Sequence, residues 1–197
     1  MSNVNRREAI AVMTGLTGAV VLSLSPDEIA RAARQVAGLS SGALQTPQFF
    51  DEHEWQTLRL LVDLILPRDE RSGSATDAGV PEFIDFIMVD GDEDRRTAMR
   101  GGLAWLDTEC RERFPGNNFL DCSEDERAAV LNDIAFPASA PAHLSHGVQW
   151  FTSLRNFSAS GFWSSKMGVE DLQYIGNVAV PEWTGCPVEQ LRRLGVG

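Results

Sequence analysis

The sequence predicts an all-α fold, and three observations carry that prediction. Between residues 51 and 160 apolar residues recur at intervals of three and four, the period of one face of a helix. No stretch sustains the apolar–polar alternation of a half-buried strand. The periodic segments are also separated by residues that start and stop helices, among them Asp51, Pro67, Pro81, Pro115 and Ser123.

At 197 residues the chain has the length of about one domain plus a leader. It is 43% hydrophobic and 23% charged, ordinary for a folded protein and too apolar for a disordered one. The net charge of −11 repels phosphate backbones and argues against a nucleic-acid partner.

The first element is a leader. Residues 5–25 read NRREAIAVMTGLTGAVVLSLS, a basic pair before an apolar core that runs from Ala9 to Leu24 and is interrupted by glycine and threonine. A membrane span needs about 20 apolar residues, so this run reads as an export signal, with an amphipathic N-terminal helix or an uncleaved anchor as the competing reading. The adjacent Arg6 and Arg7 resemble the twin-arginine (Tat) signature, although Asn5, Glu8 and Ala9 depart from its usual flanks. Ala30-Arg31-Ala32 has the small-x-small form of a cleavage site. Residues 1–32 are therefore assigned to a Tat-type signal segment. A cut there removes Arg6, Arg7 and Arg31 together with Glu8, Asp27 and Glu28, three charges of each sign, so the net charge stays at −11. Residues 33–48 (ARQVAGLSSGALQTPQ) are small and polar and read as a tether, leaving 49–197 as the helical domain.

Within that domain, Asp51 with Glu54 forms a capping-box pattern ahead of Trp55, Leu58, Val62 and Ile65, and Pro67 closes the helix. Residues 68–79 are polar turn formers and predict a surface loop. A second helix opens at Pro81, which suits a first helical position, with Phe83, Ile84 and Ile87 facing inward. The longest helix follows, with Met99, Leu103, Leu106, Cys110 and Phe114 on one face. Gly101-Gly102 in its middle costs about 1 kcal/mol per glycine relative to alanine, which predicts close packing there. Ser123 and Glu126 cap a shorter helix carrying Val130, Leu131 and Ile134. A last helix from about Ala142 to Ser160 buries Leu144, Val148, Phe151, Leu154 and Phe157, and an irregular aromatic tail ends the chain.

Reactive constellations are few. His143 and His146 could share a helical face as metal ligands, but no further ligand lies nearby, so a solvated or capping role is expected. His53 sits in an acidic helix start, where the dipole explains its neighbours. Asp85, Asp90, Asp92 and Glu93 lack calcium-loop spacing and read as a solvated helix junction. There is no GxSxG, P-loop or GxGxxG motif, and without βαβ units no dinucleotide fold can form. No catalytic residue and no metal site is assigned.

Three cysteines, Cys110, Cys122 and Cys186, are an odd number for an exported chain. Cys110 and Cys122 flank a Pro-Gly-Asn-Asn break and are a candidate disulfide if the hairpin brings their Cα atoms within 4.4–6.8 Å. The tail, GFWSSKMGVEDLQYIGNVAVPEWTGCP (161–187), sets Phe162, Trp163, Tyr174 and Trp183 among glycines. Aromatic residues of this kind anchor interfaces, and Gly176 and Gly185 permit close backbone approach. These residues, with Cys186, form the expected partner interface. Capping of the helical core is the competing role, above all for Phe162 and Trp163.

The same residues carry a family resemblance. LRLLVDLILPRDERSGSATDAGVPEFID, then GGLAWLD, WFTSLRNF, GFWSSKMGVEDLQYIGN and WTGCP follow in the order seen in the small subunit of the gluconate 2-dehydrogenase type, subunit 3. The chain resembles that family along nearly the whole length after the leader. The resemblance implies a non-catalytic subunit that escorts and stabilises a separate FAD-containing catalytic subunit of the glucose–methanol–choline type, which oxidises a sugar or polyol. It further implies export of the folded pair to the periplasm by the Tat translocase, and electron transfer to a c-type cytochrome, with haem c in a third subunit. No cofactor is expected in this chain. Two other classes compete: a free-standing exported helical binding module, and an independent periplasmic enzyme.

Overall fold

A computed structural model describes residues 24–38, 46–174 and 185–195. Among them every regular element is helical: α1 (Pro26–Ala37), α2 (Glu52–Ile65), α3 (Val80–Val89), α4 (Glu93–Arg113), α5 (Glu124–Ala135), α6 (Ser145–Ser164), α7 (Lys166–Leu172) and α8 (Val188–Leu194). A short 3-10 turn, Ala142–Leu144, leads into α6. The all-α prediction holds.

Local chemistry explains most of the boundaries. Asp51 and Ser123 accept the backbone N–H of Glu54 and Glu126, whose carboxylates return the bond to the cap N–H, so both predicted capping boxes are complete. Asp92 caps α4 through the Arg95 N–H. Pro81 occupies the first turn of α3, where its missing N–H costs nothing.

Helix α6 is the axis of the fold. It packs against α1, α2, α3, α4, α5 and α7 and is buried on several sides, through Val148, Phe151, Leu154, Phe157 and Phe162 among others. A helix covered all round needs residues that let neighbours approach and hydroxyls that satisfy themselves. Thr152 and Ser158 do the second, donating to the carbonyls of Val148 (2.7 Å) and Leu154 (2.8 Å) one turn back. Glycines do the first. Trp150 of α6 lies over Gly102 of α4, and Trp105 of α4 lies over Gly147 of α6, so a Cβ on either glycine would overlap an indole ring. The close packing predicted at the glycine pair is thus real but belongs to Gly102, since a Cβ on Gly101 meets open space.

Two corrections concern the ends of the domain. The expected tether is helical at its start: residues 33–37 are the second half of α1, a helix with its own capping box between Ser25 and Glu28. Ala32, the expected last residue of the signal, is completely buried, in a helix that packs on α3 and α6. Alanine and polar residues resemble a linker in composition, yet here Ala32 and Val36, with Ile29, form the face on which a helix docks. At the far end of the tether, the Asp85 carboxylate accepts the backbone N–H groups of Gln48 (2.9 Å), Phe49 (2.9 Å) and Phe50 (3.4 Å). Residues 39–45 lie outside the described residues. The second correction is that helix continues to Leu172 through the end of α6 and α7, broken only at Ser165, so most of residues 161–172 of the expected irregular tail are regular. Ser165 caps α7 by accepting the Gly168 N–H at 3.0 Å.

Candidate functional site

The polar residues singled out as chemistry-bearing act within the fold. Asp85 is buried rather than solvated, and its three backbone bonds fix the entry to α2. His53 is not a simple dipole partner: its Nε2 lies 2.6 Å from Asp107 Oδ2. The same buried carboxylate accepts the Phe119 N–H at 3.0 Å and lies 3.6 Å from Arg111. This arrangement clamps α2, α4 and the 117–122 segment together. His143 and His146 are exposed, and no group of three or more His, Cys, Asp or Glu among the described residues is placed to hold a metal ion. None of the described helices is long and apolar enough to cross a membrane.

Cys110 and Cys122 are both free thiols and both buried, whereas Cys186 is free and exposed. The electrostatic neighbourhood of each buried thiol includes the other, and the two carry no bond between them. Burial, with the neighbouring Cys122 and carboxylates adding to it, pushes the Cys110 thiol up to about 12, which makes it a poor nucleophile at neutral pH.

The predicted interface residues separate into groups. Phe162 is completely buried in the core and is withdrawn as an interface residue. Trp163 is half-buried, set edge-on to Phe162 with ring centroids 4.9 Å apart, and extends the core to the surface. Tyr174 is 60% exposed. Gly185, with φ of 93°, and Cys186 are both exposed. Gly176 and Trp183, like Arg6 and Arg7, lie outside the described residues.

The structure adds residues that the sequence reading missed. Leu172, Val188 and Leu194 are exposed at 52%, 60% and 72%, and α8 has no buried residue. The signal was present: Val188, Leu191 and Leu194 recur every third residue behind Pro187. The polar loop adjoins this end. Arg71 reaches from it to the Asp171 carbonyl and pairs with the Asp171 carboxylate at 3.2 Å. The loop itself is held by Arg68 on Asp77 (2.6 Å) and by the Thr76 N–H on Asp63 (2.7 Å). It is not wholly superficial, because Ala75 is fully buried.

Fold and surface together define a protein whose described residues are all-helical in their regular elements and whose described carboxyl-terminal residues Leu172, Tyr174, Val188 and Leu194 are exposed. The family model described as Gluconate 2-dehydrogenase subunit 3 matches residues 52–181, from the first residue of α2 to beyond α7. The chain belongs to the gluconate 2-dehydrogenase subunit 3 family, and is therefore a subunit of a dehydrogenase complex with partner subunits. No curated protein and no solved structure matches it.

Proposed function

We propose that the chain is the non-catalytic small subunit of a periplasmic FAD-dependent dehydrogenase of the glucose–methanol–choline type, acting on a sugar or polyol. It escorts the folded catalytic subunit through the Tat translocase and stabilises it afterwards. FAD resides in that partner, and electrons pass from it to a c-type cytochrome subunit. A flavoprotein folds around its cofactor before export, so a route for folded cargo suits it, and Arg6 and Arg7 then address two polypeptides.

The observation that carries this reading is the uncovered carboxyl-terminal segment. A seven-residue helix such as α8 is marginal alone, since isolated helices shorter than about 12–15 residues rarely hold in water. The large apolar side chains of this segment gain little by facing solvent. A partner subunit covering Leu172, Tyr174, Val188 and Leu194 supplies both the missing contact and the helix's stability. Trp183 and Tyr174 are its anchors.

Replacing each anchor by alanine tests this. An anchor truncation costs about 2–4 kcal/mol of binding, a loss of roughly thirty-fold or more. Tyr174→Ala and Trp183→Ala should therefore lose co-purification with the flavoprotein while keeping the helical circular dichroism of the parent. Undiminished complex formation by both would move the interface to the loop between Arg68 and Gly79.

Export also bears on the buried thiols. In an oxidising compartment, opening of the segment between them would let Cys110 and Cys122 pass two hydrogens to an incoming protein disulfide and form a bond of their own. Intact mass with and without reductant checks it: the exported chain should be lighter by two hydrogens until reduced, and an unchanged mass with both thiols alkylated on unfolding refutes the bond.

A further inference from the structure

We infer that residues 25–37 belong to the mature folded chain, so that any leader-peptidase cut falls before Ser25 and Ala30-Arg31-Ala32 is not a processing site. The inference concerns the fold and holds whichever route exports the protein.

Helix α1 is built and docked like the other core helices, although it lies outside the family match at 52–181. Its start is specified locally. Ser25 accepts the Glu28 N–H at 3.3 Å and Glu28 accepts the Ser25 N–H at 2.8 Å, with Pro26 in the first turn. Its inner face is specified by packing. Ala32 is completely buried, and Val36 Cγ1 lies 2.6 Å from where a Cβ on Gly79 would stand. Two ion pairs fix its orientation: Glu28 with Arg95 of α4 at 2.8 Å, and Arg31 with Asp90 at the end of α3 at 3.0 Å. The hydrogen bond from Arg95, aided by the Ser25 N–H, holds the Glu28 carboxyl at about 2, well below its ordinary value. The stabilisation this gives is fully present above the ordinary carboxylate value and is lost progressively as pH falls from there through about 2.

A cut after Ala32 would remove all of this. Arg95, whose side chain is 11% exposed in the folded chain, would lose its carboxylate partner and the helix that covers it. The face of α3 and α6 beneath Ala32 would open to water. The five residues left, 33–37, are too few to hold a helix. A protease also needs an accessible, extended segment, and a capped, docked helix does not offer one. The consequence for export is that the capped helix of the folded chain begins within two residues of Leu24, at the end of the apolar leader.

The test uses the full chain purified from its own cells. Intact mass should place the amino terminus at or before Ser25, and a terminus anywhere beyond Ser25 overturns the inference. Hydrogen exchange of the purified full-length chain supplies a second reading that does not depend on export. Amides 29–37 should be protected by on the order of a hundred-fold or more relative to unfolded peptide, and Ala32→Asp should abolish that protection. Exchange at unfolded rates in the unaltered chain, or full protection in Ala32→Asp, equally overturns it. Failure of export alone leaves the exchange result intact, so the two proposals fail separately.

Discussion

Gly102→Ala should destabilise the protein, while Gly101→Ala, one residue away on the same helix, should stabilise it. Helix propensity favours alanine at both positions by about 1 kcal/mol. At the exposed Gly101 nothing opposes that gain, because a Cβ there meets no atom within 4 Å. At Gly102 the new methyl overlaps the Trp150 indole, a rigid ring set in the core between α4 and α6. Overpacking of this kind costs about 1–3 kcal/mol and occasionally more. A ring that cannot swing aside places the cost at the upper end, for a net loss of about 2 kcal/mol after the propensity gain. Gly147→Ala, beneath Trp105, should behave like Gly102→Ala. For a domain of this size 1 kcal/mol moves Tm by roughly 2–4 °C. Thermal unfolding followed by circular dichroism should show Gly101→Ala rising by a few degrees, and Gly102→Ala and Gly147→Ala each falling by about 4–8 °C. Equal shifts of one sign at Gly101 and Gly102 would show that the glycine–tryptophan interlock does not govern the packing of α4 on α6.

The interlock also shows what the sequence could and could not disclose. A glycine pair within a helical pattern announces close packing, but which glycine meets a neighbour depends on which tryptophan crosses it, and that is a property of the assembled bundle. Helix boundaries were legible because their causes are local: Asp51 with Glu54, Ser123 with Glu126 and Pro81 all act within one turn. The bonds of Asp85 were not, since its partners lie 35–37 residues away. The His53–Asp107 clamp joins positions 54 apart, and nothing near His53 points to it. Helix α1 was missed although its capping residues, Ser25 and Glu28, are visible, because a run of alanine and small polar residues following an apolar leader resembles a linker in composition. Periodicity alone could not assign Phe162, which is apolar both as a core residue and as an anchor; its position over the core, at the end of α6, decides it.

The interface was legible in part. An aromatic tail behind a helical domain suggested the carboxyl-terminal end as the docking surface, and Tyr174 there is exposed. The amphipathic character of α8 completes the surface, through the regular recurrence of Val188, Leu191 and Leu194 rather than through aromatic residues. Exposed apolar side chains on a short, otherwise uncovered helix belong to a chain that functions within a complex, in keeping with its membership of a subunit family.

The central claim is that this chain carries a folded flavoprotein out of the cytoplasm on its own address. Changing both Arg6 and Arg7 to lysine tests it most directly. Positive charge is retained, but the planar, multiply donating guanidinium is replaced by a point-like ammonium, so a receptor that reads guanidinium geometry loses its ligand while one that reads charge does not. The measurement is dehydrogenase activity in separated periplasm and cytoplasm. The account predicts that in the Lys-Lys variant nearly all activity remains in the cytoplasm, on a flavoprotein that is folded and loaded with FAD. Periplasmic activity equal to that of the unaltered chain would contradict it.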